Sequence, residues 1–253
     1  MSVLINVVSI VACVSAALLF LLLVTRISSA PARRDSNEFT GAVMEVTGTT
    51  YAVILAFTLS GVWSMAQQAQ ANEEQEANAL VNVFRIASQL QDPNAKRIQD
   101  LCVRYADNVL QHEWAAMQKG QMTPEGADII NQLWLLAGQS AHARPDAITA
   151  YQLMEELRGL TQYRRLRAMQ TREHLPKILW AVLIAGGIIT VGAASFFGVS
   201  KFSFQAQVLV LTFLITLVLV AIADIDRPYR GLVKVEPTGF DFAIRTFHTF
   251  PQQ

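Results

Sequence analysis

The chain has 253 residues, 52% hydrophobic and only 16% charged, with a mean hydropathy of +0.31 and a formal net charge of +0 at pH 7. Soluble domains carry about 25% charged residues, so the composition points to a membrane protein. The neutral balance argues against a nucleic-acid binder held by phosphate neutralisation.

Residues 1 to 25 are uncharged, and Val3 to Thr25 is mostly aliphatic. A run of this length crosses a ~30 Å hydrocarbon core at ~1.5 Å per residue. Ser28, Ser29 and Ala30 resemble a signal-peptide cleavage site. No Lys or Arg precedes the apolar run, however, and it exceeds the usual ~7–15 residues, so a retained span is expected. A second span runs from about Gly41 to Met65, with no helix breaker at its inner end. Its helix should therefore continue through a polar stretch until Asp92-Pro93 stops it, giving a rod of about 75 Å. Ala77, Leu80, Phe84 and Ala87 mark one apolar stripe on that extension.

Three more helices fill the middle of the chain. One runs from Asn94 to about Gln118, with Ile98, Leu101, Tyr105 and Val109 on one face. The next starts at Thr123 as N-cap, with Pro124 in the first helical position. Another follows Arg144-Pro145, packs through Ile148, Tyr151, Met154 and Leu157, and ends before Pro176. A third span covers about Lys177 to Val199 and a fourth about Gln205 to Ala223, joined by the short turn "SKFSF" as a helical hairpin. The tail reads as extended and then aromatic, with Phe240, Phe242, Phe247 and Phe250.

The expected fold is all-α: four transmembrane helices with a cytoplasmic helical domain inserted between the second and third. The segments are 1–65, 66–176, 177–223 and a tail over 224–253. Four crossings place both termini and the middle on one side. Arg164, Arg165, Arg167, Arg172, Lys177, Arg227, Arg230 and Lys234 flank the spans there, against Arg26, Arg33, Arg34 and Lys201 opposite. The positive-inside bias makes the richer side cytoplasmic.

Three features bear on function. Glu45 is the one charge between Phe39 and Asn72. It lies eight residues from the centre of its span, about 12 Å by helical rise and within a ~15 Å half-thickness. It reads as an interfacial acid that Arg33 or Arg34 could neutralise, as one member of an acidic ring at an oligomeric mouth, or as a proton-coupled group. The second feature is a stripe of small residues at spacing four: Gly48, Ala52, Ala56, Ser60 and Ser64. Gly186, Thr190, Ala194 and Gly198 repeat it in the third span. Such faces let backbones pack closely or leave room for water. Ile54, Leu55, Phe57 and Leu59 lie off the stripe and would form a hydrophobic gate if a pore ran on that other side. Third, "DIDRPYRG" over 224–231 ends the fourth span. Asp224 and Arg227 are spaced to pair, with Asp226 and Arg230 solvated, or else these charges fasten the span to the helical domain or a neighbouring subunit, or hold a cation.

Ala56-Phe57, Ser60 and Trp63, then Glu76-Ala77-Asn78, then Asp226-Arg227-Pro228 and Gly231 resemble a bacterial domain family described as bestrophin-like, over about Gly41 to Pro237. The resemblance implies an oligomeric, usually pentameric, ion channel in the bacterial inner membrane, multi-pass with both termini cytoplasmic. Its second helix would line the pore. The acidic calcium-binding cluster of bestrophins has no clear counterpart in this sequence. Candidates at the pore wall or mouth are then Glu45, Thr49, Ala52, Ala56, Phe57, Ser60 and Trp63. The family-motif residues on the cytoplasmic side are Glu76, Asn78, Asp224, Asp226 and Arg227. The competing class is a structural, sensory or regulatory scaffold that does not conduct. A secondary transporter would show an inverted repeat or a broken span. Catalysis has no support: His112, His142, His174 and His248 are scattered, and no phosphate loop or nucleophile elbow is present. Cys13 and Cys102 have no metal-ligand spacing, and no cofactor is expected. The expected partners are lipid, further copies of the chain and inorganic ions.

Overall fold

The computed structural model describes residues 3–27, 37–90, 93–143, 148–196 and 202–250, and every regular element among them is helical. Helix α1 is Val3–Ile27 and α2 is Asn37–Ser88. Helix α3 is Asn94–Asn108, followed by a π-helical turn over Val109–Glu113 and the short α4, Trp114–Met117. Then come α5, Pro124–Ala143, and α6, Ile148–Gln170. The chain ends with α7, Lys177–Ser195, α8, Phe202–Ile225, and α9, Thr238–Thr249. Gly198, Arg33, Arg34, Asp92, Lys201, Arg144-Pro145 and the start of the "SKFSF" turn lie outside the described residues.

Four of these helices, α1, α2, α7 and α8, are long and apolar enough to cross a membrane. The contacts divide the chain into two units, and α2 contributes to both. The first unit is Met1–Met65, His174–Asp226 and Gly231–Val233. Within it α1 lies against α8, and Leu21, Ala194 and Val208 form a small core with Met44, Val191 and Leu211 around it. Tyr51 of α2 packs its ring on Gly186 of α7, and its hydroxyl donates to the Leu183 carbonyl at 2.9 Å. A Cβ on Gly186 would collide with that ring, and one on Gly187 would stand 3.0 Å from the Tyr51 hydroxyl. Thr190 and Ala194 on the same side of α7 are also buried. The small residues of the third span thus serve close helix packing inside one chain, as apolar surroundings reward.

The second unit is Ala66–Glu173, Arg227–Arg230 and Lys234–Gln253. The stripes Ala77, Leu80, Phe84, Ala87 and Ile98, Leu101, Tyr105, Val109 are all buried in its core. Two details depart from the sequence reading. The helix expected from Asn94 to Gln118 is interrupted by the π turn, in which the Trp114 N–H bonds to the Val109 carbonyl five residues back. The extra residue rotates the later part of the helix, so Glu113 and Trp114 face inward. In α6, Leu157 is buried, but Ile148 and Tyr151 are 76% and 71% exposed. Residues spaced by three drift around a 3.6-residue helix, whereas the buried set, Ala150, Leu153, Leu157, Leu160, Arg164 and Arg167, alternates three and four and stays on one face. The tail has no helix up to Pro237, as expected of its start, and its aromatic part then forms α9, which buries Phe240, Ala243 and Phe247.

Candidate functional site

At about 100° per residue, Glu45, Thr49, Ala52, Ala56, Ser60 and Trp63 fall within one face of α2, while Phe57 stands beside it. All seven are exposed, Phe57 at 75%. Ser64 is exposed too, and Gly48 is half-buried with only the Met44 tip within reach of a Cβ. Two stripes of similar sequence therefore have different fates: that of α7 packs inside the chain, and that of α2 faces out. The most apolar stretch of α2 is 6% buried by its own chain, against 17%, 28% and 39% for α1, α7 and α8. All four spans expose large apolar side chains, on α2 Val46, Val53 and Phe57 among them. A face of small and hydroxyl-bearing side chains gains little from lipid tails and lets another helix approach closely.

The "DIDRPYRG" segment is a set of backbone clamps. Asp224 is buried, and its Oδ2 accepts the N–H groups of Leu232 at 2.8 Å and Val233 at 3.0 Å. Gly231, at φ +115°, makes the turn possible, since a Cβ there would stand 2.7 Å from Asp224 Oδ1. Asp226, expected to be solvated or to fasten the span, is buried. Its Oδ1 accepts the Leu175 N–H at 2.7 Å, and its carbonyl lies 3.3 Å from His174 Nδ1. Arg227 is exposed.

In the second unit, Glu76 lies at the centre of a buried ion cluster, while Asn78 is exposed. Arg167, fully buried, donates to both Glu76 oxygens at 2.6 and 2.8 Å and to Glu113 Oε2 at 2.7 Å. Arg164 Nη1 donates to the same Glu113 oxygen at 2.7 Å, and the Tyr105 hydroxyl to Glu76 at 2.5 Å. The Arg164 guanidinium fills the space a side chain at Gly126 would need. Burial alone would raise the Glu113 carboxyl, but Arg167 and Arg164 outweigh it and hold the group below 4.5. Two acids face two bases and none of their buried atoms lacks a partner. The cluster thus braces the helices that carry it, α2, α3 with its π turn, and α6. Sequence reading counted Arg164 and Arg167 as charges flanking a span. Their register, continuing Leu153, Leu157 and Leu160 at core spacing, was the signal that they point inward. Among the described residues, no group of three or more His, Cys, Asp or Glu side chains could hold a metal.

The profile of the Bestrophin-like domain matches residues 11–240. No curated protein matches the sequence. Among solved structures, a bacterial Bestrophin homolog from Klebsiella pneumoniae is similar at 13% identity and TM-score 0.71, covering 94% of this chain and 97% of its own. A single-residue variant of that homolog aligns with the same values. A further structure, described only as a membrane protein, is similar at TM-score 0.70 and 13% identity, over 92% of this chain and 97% of that one. At such identity the likeness concerns the fold. The profile match extends over nearly the whole sequence, so the chain belongs to the Bestrophin-like domain family.

Proposed function

We propose that the protein is one subunit of a homo-oligomeric channel for inorganic ions, with α2 of each copy turned toward a shared axis. The observation that carries this reading is the outward face of α2: small, hydroxyl-bearing and hardly covered by its own chain. Oligomerisation gives that face a partner, and a central path gives its small side chains a use. Glu45 of each copy then forms an acidic ring at the outer mouth, which favours cations. The bestrophin resemblance supports a pentamer.

The four apolar helices are read as four crossings in the bacterial inner membrane, with the second unit and both termini cytoplasmic. The charge bias narrows when Arg164 and Arg167 are neutralised inside the cluster, leaving six of the eight inner charges against the four outer ones, but its direction holds. The proposal needs no cofactor and no catalytic residue.

The test is reconstitution in planar bilayers. Discrete cation currents are expected, with reduced cation preference in Glu45→Gln, and native mass spectrometry in detergent should give one oligomer. Strictly monomeric particles would end the axial model. Oligomers that insert correctly and stay electrically silent would transfer the protein to the scaffold class.

A further inference from the structure

The C-terminal helix α9 enters the second unit without a cap of its own: Pro237, at its N-cap, supplies no side-chain hydrogen bond. A helix start leaves amides that need acceptors. Here the acceptor comes from α2. Glu73 takes the Gly239 N–H on Oε2 at 3.3 Å and the Phe240 N–H on Oε1 at 3.1 Å. Gln70 Nε2 bridges the two helices, 3.4 Å from Glu73 Oε2 and 3.3 Å from Thr238 Oγ1. The approach is close enough that a Cβ on Gly239 would stand 3.0 Å from both carboxyl oxygens and from the Ala77 Cβ. Beyond the cap, Phe240 is fully buried 5.7 Å from the Arg167 guanidinium carbon, and Phe247 stacks on Phe84 at 4.5 Å. The first amides of α9 are therefore held by one carboxyl group, while its apolar side packs in the core.

That carboxyl is fully buried, and among the described residues no ion pair reaches it. The buried arginines, Arg164 and Arg167, are bonded to Glu113 and Glu76. The groups around Glu73 are acidic or neutral: Gln70, Glu74 and Glu76 on its own helix, Tyr229 in the 227–230 turn, and Thr238 in the tail. Glu236 and Asp241 add acids to the tail close to the bonded amides, and the cations on either side, Lys234 and Arg245, are exposed. Both backbone bonds exceed the ~2.7–2.9 Å of a charge-assisted bond.

We propose that Glu73 is a proton-operated latch, which holds α9 against α2 when protonated and loosens the tail helix when it ionises. A protonated carboxyl still offers lone pairs to both amides, while an ionised one is buried beside Glu76 and Glu74 without a counter-ion. Desolvation by burial pushes Glu73 up from 4.5 to about 7, with the two backbone bonds opposing and the neighbouring acids assisting. The sign follows from linkage. The docked state binds the proton more tightly than an undocked, solvated Glu73, so docking is strongest below about 4.5. It weakens as pH rises toward about 7 and is level above that. A rise of this size weakens docking on the order of a hundredfold. Release would uncover the apolar side of α2 around Ala77 and Phe84. The latch stands whether or not the protein conducts.

The experiment is hydrogen exchange on the full-length protein in detergent, from about pH 5 to about pH 8, with rates corrected for intrinsic exchange. The amides of α9 should lose protection on the order of a hundredfold across that range, while those of α5 stay constant. Glu73→Gln removes the charge but leaves one acceptor oxygen for the two amides, so α9 should be less protected than in the native chain at about pH 5 yet level across the range; constant α5 protection in this variant reports that the unit is folded. Protection of α9 that is level with pH in the native sequence overturns the proposal, whatever the variant does. So does a Glu73→Gln profile that falls with pH as the native one does.

Discussion

The buried ion cluster makes Arg167 the most consequential single side chain in the second unit. Replacing Arg167 with Met removes three charge-assisted bonds, two to Glu76 and one to Glu113. It also removes a cation lying 5.9 Å from the Trp114 ring and 5.7 Å from that of Phe240. Glu113 keeps Arg164, and Glu76 keeps only the Tyr105 hydroxyl. The core then holds two carboxylates against one guanidinium, an uncompensated buried charge that costs about 3–5 kcal/mol. For a unit of this size that lowers the unfolding midpoint by about 10–20 °C, measured in detergent through tryptophan fluorescence, to which Trp114 contributes. Adding Glu76→Gln restores the charge balance while leaving Tyr105 a partner, so the double variant should recover more than half of the loss. A midpoint unchanged in Arg167→Met, or a double variant destabilised by the sum of its two singles, would refute the claim that charge balance holds this core together.

Gly126→Ala, which ordinarily favours a helix by about 1 kcal/mol, should destabilise here, because the new methyl meets Arg164 Nη1 at 2.6 Å; thermal unfolding gives the sign. Gly231→Ala should cost about 1–3 kcal/mol through its positive φ and its contact with Asp224, read as a lower midpoint in the same assay. Gly186→Ala should lower the stability of the detergent-solubilised protein, and Tyr51→Ala in the same chain should restore part of it, since the two compete for one space; a double-mutant cycle measures the coupling. Because the Glu113 carboxyl is held below 4.5, its ionised form contributes stability above that pH, which is lost as pH falls through the lowered value. An acid titration of the unfolding midpoint should fall below about pH 4.5, and Glu113→Gln should flatten that limb.

Local pattern accounts for much of the architecture. Uninterrupted apolar runs announced α1, α7 and α8, and the lack of any breaker after Met65 announced that α2 would carry on to Ser88. These properties belong to the chain at short range, where hydropathy and the geometry of single residues decide. The stripe from Ala77 to Ala87 was legible for the same reason. In α6 the apolar spacing misled at Ile148 and Tyr151, because residues three apart drift off the face that the alternating spacing of Ala150, Leu153, Leu157 and Leu160 keeps.

Which partner each side chain finds is a matter of the assembled unit. Gly186 and Ala56 look alike as letters in a small-residue stripe, yet one receives Tyr51 and the other faces outward. Glu73, Glu74 and Glu76 are near neighbours in one run, yet Glu73 caps the tail helix, Glu74 is exposed and Glu76 grips Arg167. A helix turns each residue about 100° from the last, so adjacent identical side chains enter different surroundings. Hydropathy is written residue by residue along the chain. Pairing of charges, filling of space and access to water arise from groups about ninety positions apart, as Glu76 and Arg167 are, and they exist once folding has brought those groups together.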